Sequence, residues 1–328
     1  MSIKVAVYGL GYIGSLIAKN LLDKKGVKLI GGIEVDQEKI DRDLGEALNL
    51  GKRLEAKVVH DDEAEKFLSE AKPQIVLHST LTNLNEVYPQ LIKCVKAGVN
   101  VISTAETLSY PWYRYPKLAN LIDEEAKKSG VSILGAGVNP GFIFDSLPAF
   151  LTLPCIKINK IHVARSINAA LRRYSFQKKY GLSMNIEEFK NKASGHTGYA
   201  ESILLLASII GVKIDKVEEK QEPIIADKNL ETKYFKINPG QVCGVKGYGV
   251  GYINEKEFIK LDLTAAVNQK DFDEITIDGE PPLKWRNEYG TSGDTATAAI
   301  IINMIPKVLK APKGLITMKE FIHLHYSN

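Results

Sequence analysis

The sequence predicts a doubly wound α/β fold, a parallel sheet covered by helices, interrupted by an inserted α+β, mostly antiparallel domain. Three observations carry this prediction. The first 140 residues alternate short β-branched runs with helix-patterned segments. A glycine turn joins the first strand directly to the first helix. Beyond Gly141 the alternation stops, and strand-like runs follow one another across Asn, Gly and Pro turns.

In order, 3–8 reads as a β-branched strand, and 13–22 as a helix whose Ile13, Leu16, Ile17 and Leu21 share one face. A strand at 28–35, a helix at 63–70, a strand at 74–78 and a helix at 85–96 follow. Strands at 99–103 and 131–134 flank a helix at 116–129. In a parallel sheet the ends at Ser79, Ser103 and Gly135 fall on one edge, where ligands collect. The second half reads as a helix at 142–150, a strand at 156–167 and a helix at 200–210. Strands at 212–217, 232–237, 241–252, 257–267 and 274–277 then lead to an apolar helix at 295–309 and a closing KGLITMKEF segment.

Composition excludes several classes. With 328 residues, 45% hydrophobic and 25% charged, the chain is globular and long enough for about two domains. A net charge of +4, with Lys and Arg interspersed among acids, predicts no nucleic-acid partner. Cys94, Cys155 and Cys243 have neither CxxC nor Cys/His ligand spacing, so a zinc site and a disulfide framework are not expected and a reducing cytoplasm is. The N-terminus enters a strand at once, which predicts no signal peptide. Apolar runs such as 203–208 and 298–302 fall far short of the roughly 20 residues of a membrane span.

YGLGYIG places Gly9, Gly11 and Gly14 in G-x-G-x-x-G spacing between strand and helix. That context predicts a dinucleotide site. Gly9 turns the chain, Gly11 lets a pyrophosphate approach the backbone, and Gly14 lets the helix pack close, with Tyr12 and Ile13 on the turn. Glu34 and Asp36 are both candidates for the ribose hydroxyls. Glu34, at the strand end, is preferred, while Asp36 reads as solvating that end. A carboxylate there repels a 2′-phosphate, so NAD is the preferred cofactor, and Lys39 keeps NADP open. Ser79, Thr80 and Thr104 follow strand ends as further cofactor contacts, and His78 reads as a packed strand residue. The dinucleotide-binding domain is then 1–140 plus 291–328, with 141–290 inserted.

Glu106 follows the fifth strand and precedes Tyr110, Trp112 and Tyr113. A carboxylate desolvated against aromatic side chains is a general-base candidate, and it can also hold a substrate ammonium. In GAGVNPGF, Asn139 offers both a donor and an acceptor, and the same cluster reads equally as a domain hinge. Three of the seven arginines, Arg165, Arg172 and Arg173, lie within nine residues in a chain that otherwise uses Lys. Arg recognises carboxylates bidentately, which makes Arg165 and Arg172 candidates for a substrate carboxylate, against a surface ion pair as the plainer reading. His196 is a further candidate substrate contact, and Asp294 caps the last helix. His323 and His325 have no third ligand nearby in sequence, so no metal is expected.

YGLGYIG, STAETLSYPWY, GAGVNPGF and GDTATAAIIINMIP with APKGLITM together resemble the 2,4-diaminopentanoate dehydrogenases and native amine dehydrogenases, across essentially the whole chain. The resemblance implies a dihydrodipicolinate reductase-like fold, in which a Rossmann domain is closed by the C-terminal helix and the inserted domain binds substrate and forms a homodimer. It implies NAD(P)-dependent oxidative deamination of a small amine or amino acid, 2,4-diaminopentanoate foremost, with ammonia as product and reductive amination as the reverse. The family's catalytic glutamate matches Glu106. The alternative is reduction of a cyclic imine or keto acid on the same cofactor site. Against it, the His-His-x-x-Lys and Pro-Ser-Gly-Thr runs of dihydrodipicolinate reductases are absent, and Glu106 is followed by Thr107 rather than by the Lys-Pro of related sugar oxidoreductases.

Overall fold

The computed structural model describes residues 2–322, which divide into two compact units, 2–142 with 292–322 and 143–291. The first unit begins with β1 (Ile3–Tyr8), α1 (Tyr12–Leu21), β2 (Val27–Glu34), α2 (Leu44–Ala47) and β3 (Lys57–His60). It continues through α3 (Ala64–Ala71), β4 (Ile75–His78), α4 (Leu84–Lys96), β5 (Asn100–Ser103), α5 (Pro116–Ser129) and β6 (Ser132–Gly135).

In the second unit come α6 (Ser146–Leu151), β7 (Lys157–Asn168), α7 (Tyr174–Lys179), α8 (Ile186–Lys192) and α9 (Tyr199–Ile210). They are followed by β8 (Lys216–Ile225), β9 (Leu230–Glu231), β10 (Lys236–Ile237), β11 (Val242–Ile253), β12 (Lys256–Ala266), β13 (Phe272–Glu280) and β14 (Leu283–Asn287). The chain then rejoins the first unit as α10 (Gly293–Val308) and β15 (Gly314–Ile316).

The first sheet is wholly parallel, in the order β15-β6-β5-β4-β1-β2-β3. Its order reverses between β1 and β4, the crevice where doubly wound folds bind ligands. Side-chain alternation divides its core. Ala6, Tyr8, Val76, Val101, Ile133 and Leu315 share a core with the buried faces of α3, α4 and α5. Val5, Val7, Ile75, Leu77, Ile102 and Leu134 have the other parity and lie towards α1 and α10. Burial on both faces explains why these strands read as continuous apolar runs.

The second sheet, β14-β13-β7-β12-β11-β8, is antiparallel except for the β7–β12 pair. Helix α9 packs on β11, where Gly249 and Gly251 bring its Tyr199 and Ile203 against the strand backbone. By alternation Lys246 and Tyr248 face the other way, as Lys260, Asp262 and Thr264 do on β12.

Several local expectations change. Residues 212–215 form the exit from α9 rather than a strand. Strand β8 instead covers the Lys/Glu-rich 216–225, which the charge run and Pro223 disguise. As an edge strand paired only with β11, it tolerates both. The expected 232–237 strand is broken by a turn on the Thr232 hydroxyl, which accepts the N–H groups of Tyr234 (3.1 Å) and Phe235 (2.9 Å). The helix expected at 142–150 starts only at Ser146, where the Asp145 carboxylate accepts the Ser146 N–H at 2.6 Å. Among the described residues, no helix is long and apolar enough to cross a membrane.

Candidate active site

In the first unit the glycine turn lies at the β1–β4 reversal. Gly9 adopts φ +86°, and a Cβ there would stand 2.6 Å from the Ser79 carbonyl oxygen. A Cβ on Gly14 would stand 1.7 Å from the Gly9 carbonyl oxygen, so only glycine lets α1 start this close to β1. At Gly11, by contrast, a Cβ would meet nothing within 4 Å. Gly11 is also the N-cap of α1, without a side-chain cap and without an acid in the first turn, so the positive end of the helix keeps its backbone donors for an anion. Tyr12, exposed, and Ile13, half-buried, occupy that turn. The Ser79 hydroxyl donates to the Gly9 carbonyl at 3.3 Å. This cradle fits a dinucleotide pyrophosphate.

Glu34 closes β2 and is 9% exposed. Its carboxylate accepts the N–H groups of Leu10 (2.5 Å) and Val35 (2.7 Å), tying the strand end to the glycine turn. Lys39 donates to the Leu10 carbonyl at 3.2 Å and pairs with Asp36 at 2.9 Å, and that bond lowers the Asp36 carboxyl. Glu34, the preferred ribose residue, and Lys39, which keeps NADP open, thus meet at Leu10.

His78, fully buried, sits at the centre of a polar chain. Its Nδ1 lies 2.8 Å from the Ser103 hydroxyl, and its Nε2 lies 2.8 Å from the Gln90 side-chain oxygen and 3.0 Å from the Thr80 hydroxyl. The Thr80 hydroxyl also donates to Gln90 at 2.7 Å, the Thr104 N–H donates to the His78 carbonyl at 2.9 Å, and Ser103 accepts the Ala105 N–H at 3.1 Å. Burial holds the His78 imidazole down at about 4, against an ordinary 6.5. Because the folded value is depressed, its contribution is complete above pH 6.5 and is lost as pH falls towards 4. The change is about 3 kcal/mol at most. Melting scans from pH 7 to pH 4.5 are expected to show this loss, and a His78→Gln variant a shallower decline.

Glu106 opens a 3-10 turn, Glu106–Leu108, three residues past the end of β5, and is half-buried. The turn is tied down on three sides. The Thr107 hydroxyl accepts the Leu84 N–H at 2.7 Å, and the Thr107 N–H donates to the Thr82 carbonyl at 3.3 Å. The Ser109 hydroxyl donates to the Glu106 carbonyl at 2.7 Å. At the end of β6, Gly135 presses against the turn, and a Cβ there would stand 2.4 Å from the Leu108 carbonyl carbon. Tyr110 and Trp112 meet edge to face at 5.6 Å just beyond, and burial raises the Tyr110 hydroxyl. Asn139 lies half-buried in the loop leaving β6, which the Thr297 hydroxyl anchors by accepting the Val138 N–H at 3.2 Å.

In the second unit Arg165 is almost wholly buried and engaged. Its guanidinium lies 3.5 Å from the buried Asp273 carboxylate and donates to the Thr291 carbonyl, while Asp273 accepts the Thr291 N–H at 2.6 Å. Burial lowers the Arg165 guanidinium, Asp273 opposes this, and the charge of Arg172 adds to the lowering. The carboxylate that Arg165 holds is therefore Asp273, an internal one. Arg172 lies over the Phe176 ring at 4.2 Å, and Phe176 stacks on Tyr180. Arg173 donates to the Ser175 hydroxyl at 2.9 Å on the surface. His196, 4% exposed, packs edge-on against Tyr199 and Phe144, so it stands in an aromatic core. Asp294 sits in the first turn of α10, but the cap is Ser292. His323 and His325 lie outside the described residues.

Sequence reasoning missed Asp273, Gln90 and Gln177. Asp273 left a signal: strand parity puts it on the face of Ile275 and Ile277, where a buried acid requires a partner.

A family model described as "2,4-diaminopentanoate dehydrogenase C-terminal domain" matches residues 142–325, more than half of the chain. The chain belongs to this family. Similarity to a curated member runs through both units. The 2,4-diaminopentanoate dehydrogenase of Acetoanaerobium sticklandii is 29% identical, across 96% of this chain and 92% of its own. An amine dehydrogenase of Streptomyces virginiae is 24% identical over 70% of this chain and 66% of its own. Among solved structures, the amine dehydrogenase from Mycobacterium smegmatis superposes with a TM-score of 0.88 at 26% identity, covering 98% of this chain and 96% of that one.

Proposed function

We propose that this chain catalyses NAD(P)-dependent oxidative deamination of an amine, with reductive amination as the reverse. The observation that carries the reading is Glu106, a carboxylate on a turn fastened at the ligand edge of a dinucleotide-type sheet, in a chain related to dehydrogenases named for amines. The relative from Acetoanaerobium extends the reading to 2,4-diaminopentanoate, giving 2-amino-4-oxopentanoate and ammonia.

Gly9, Gly11 and Gly14 with the start of α1 receive the pyrophosphate. Glu34 takes the ribose hydroxyls, and Ser79, Thr80 and Thr104 line the sheet edge. The bound nicotinamide supplies the hydride acceptor. Glu106 binds the substrate ammonium and accepts its proton, which frees the nitrogen lone pair for oxidation at the neighbouring carbon. That proton passes to solvent, and the carboxylate then takes a proton from the water that attacks the iminium carbon and hands it to the amine nitrogen, so that ammonia leaves as the hydroxyl proton is released and the ketone forms. Asn139 and His196 are candidates for substrate contact. Arg172 is the arginine assigned to the substrate carboxylate, because Arg165 is committed to Asp273 and Thr291.

The inserted unit has the substrate-binding role and forms a homodimer. The three cysteines, all unpaired and buried, accord with a reducing cytoplasm. NAD is the preferred cofactor because the Glu34 carboxylate repels a 2′-phosphate, while the Lys39 ammonium beside Leu10 admits NADP. Lys39→Ala is expected to raise KM for NADP about fivefold or more and to leave KM for NAD within about twofold, checked by steady-state kinetics with both cofactors. Deamination itself is tested by incubating the enzyme with NAD and 2,4-diaminopentanoate. Ammonia and NADH are expected in equal amounts, and NADH without ammonia contradicts the reading.

A further inference from the structure

Gln177, on α7, is a fully buried amide in the second unit that none of the chemistry above uses. Its Nε2 donates to the carbonyls of Ala170 (3.2 Å) and Arg172 (2.8 Å). Its Oε1 accepts the Thr232 hydroxyl at 2.8 Å. One side chain thus joins the arginine turn to the β9–β10 hairpin. The hairpin closes on the same turn from outside: Tyr174 stacks on Phe235 at 5.5 Å and meets Tyr234 edge to face at 5.7 Å. On the other side of α7 the Arg172 guanidinium lies over Phe176. The turn carrying Arg172 is therefore fixed at its backbone by Gln177, at its side chain by Phe176 and at its flank by the hairpin.

We propose that Gln177 is a positioning residue that sets Arg172 for the substrate carboxylate, and that the β9–β10 hairpin, linked through Thr232, is part of the same specificity element. This rests on the assignment of Arg172 to that carboxylate. The physical reason is geometric. Bidentate recognition by a guanidinium depends on its orientation, and an arginine on a short turn keeps that orientation only if the turn's backbone is held. Gln177 occupies two carbonyls of the turn that a leucine would leave without their donor.

The test compares wild type, Gln177→Leu and Thr232→Val on 2,4-diaminopentanoate and on the carboxylate-free 2-aminopentane, with KM, kcat and melting temperature recorded for each. Thr232→Val keeps the shape, removes the hairpin end of the link together with the hydroxyl's bonds to the Tyr234 and Phe235 N–H groups, and carries the test if Gln177→Leu does not fold. The expected result is a KM for the amino acid raised about tenfold in Gln177→Leu and about threefold in Thr232→Val, with kcat within about twofold and KM for 2-aminopentane unchanged. Equal shifts on both substrates, or none on either, overturn the positioning role. A wild type that shows no preference for the carboxylate-bearing amine overturns the Arg172 assignment and this proposal with it, and wild-type failure on both amines overturns the deamination reading.

Discussion

Glu106→Gln lowers kcat for amine oxidation by about 10²–10⁴-fold, while the dissociation constants of NAD and NADH and the melting temperature stay at their wild-type values. The size of the effect follows from the demand placed on one carboxylate, which takes a proton twice in the cycle. Glutamine keeps the volume and can still meet an ammonium through its carbonyl oxygen, but it accepts no proton. The fold is expected to tolerate the change. The turn's backbone is held by Thr107, Ser109 and the close approach of Gly135, and the dinucleotide cradle is built from other residues. Cofactor titration by fluorescence, run beside steady-state deamination, separates the two properties. Unimpaired turnover in Glu106→Gln removes this residue from the mechanism.

The second large effect concerns two glycines three residues apart whose alanine variants fail for different reasons. In Gly14→Ala the new methyl collides with the Gly9 carbonyl oxygen, and neither backbone has room to retreat between α1 and β1. This overpacking is expected to cost about 3 kcal/mol or more and to lower the melting temperature by several degrees, with cofactor affinity falling alongside. In Gly11→Ala the methyl meets no protein atom within 4 Å and φ is not in the left-handed region, so the fold and its melting temperature are retained. The methyl then stands where the pyrophosphate approaches, and the cofactor dissociation constant is expected to rise tenfold or more. Calorimetry for stability and titration for affinity distinguish the pair. An unchanged affinity in Gly11→Ala contradicts the placing of the pyrophosphate there.

Much of this was legible in the sequence because it depends on local pattern. The strand, glycine turn and helix at 3–22 are written in adjacent residues, and the buried β4, β5 and β6 announce themselves as apolar runs. Strand β3 and the Lys/Glu-rich β8 did not, because edge strands need no continuous apolar face. At the site, the cofactor-type residues could be named from spacing. The partners of the polar side chains could not, since they come from distant segments. Arg165 meets Asp273 across β7–β13, His78 meets Gln90 from α4, and Gln177 meets Thr232 from the hairpin. Composition drew attention to the arginine cluster but not to the partners of its members. Only the fold shows that Arg165 holds an internal carboxylate and carbonyl and that Arg172 lies over an aromatic ring.

The central claim is amine chemistry at Glu106, and its most direct test is the reverse reaction. NADH oxidation is followed with 2-amino-4-oxopentanoate in the presence and absence of ammonium. NADH oxidation that strictly requires ammonium in the wild type, and that falls away in Glu106→Gln, is the predicted result. NADH consumption that proceeds equally without ammonium contradicts it and assigns the chain to the reduction of keto acids or cyclic imines.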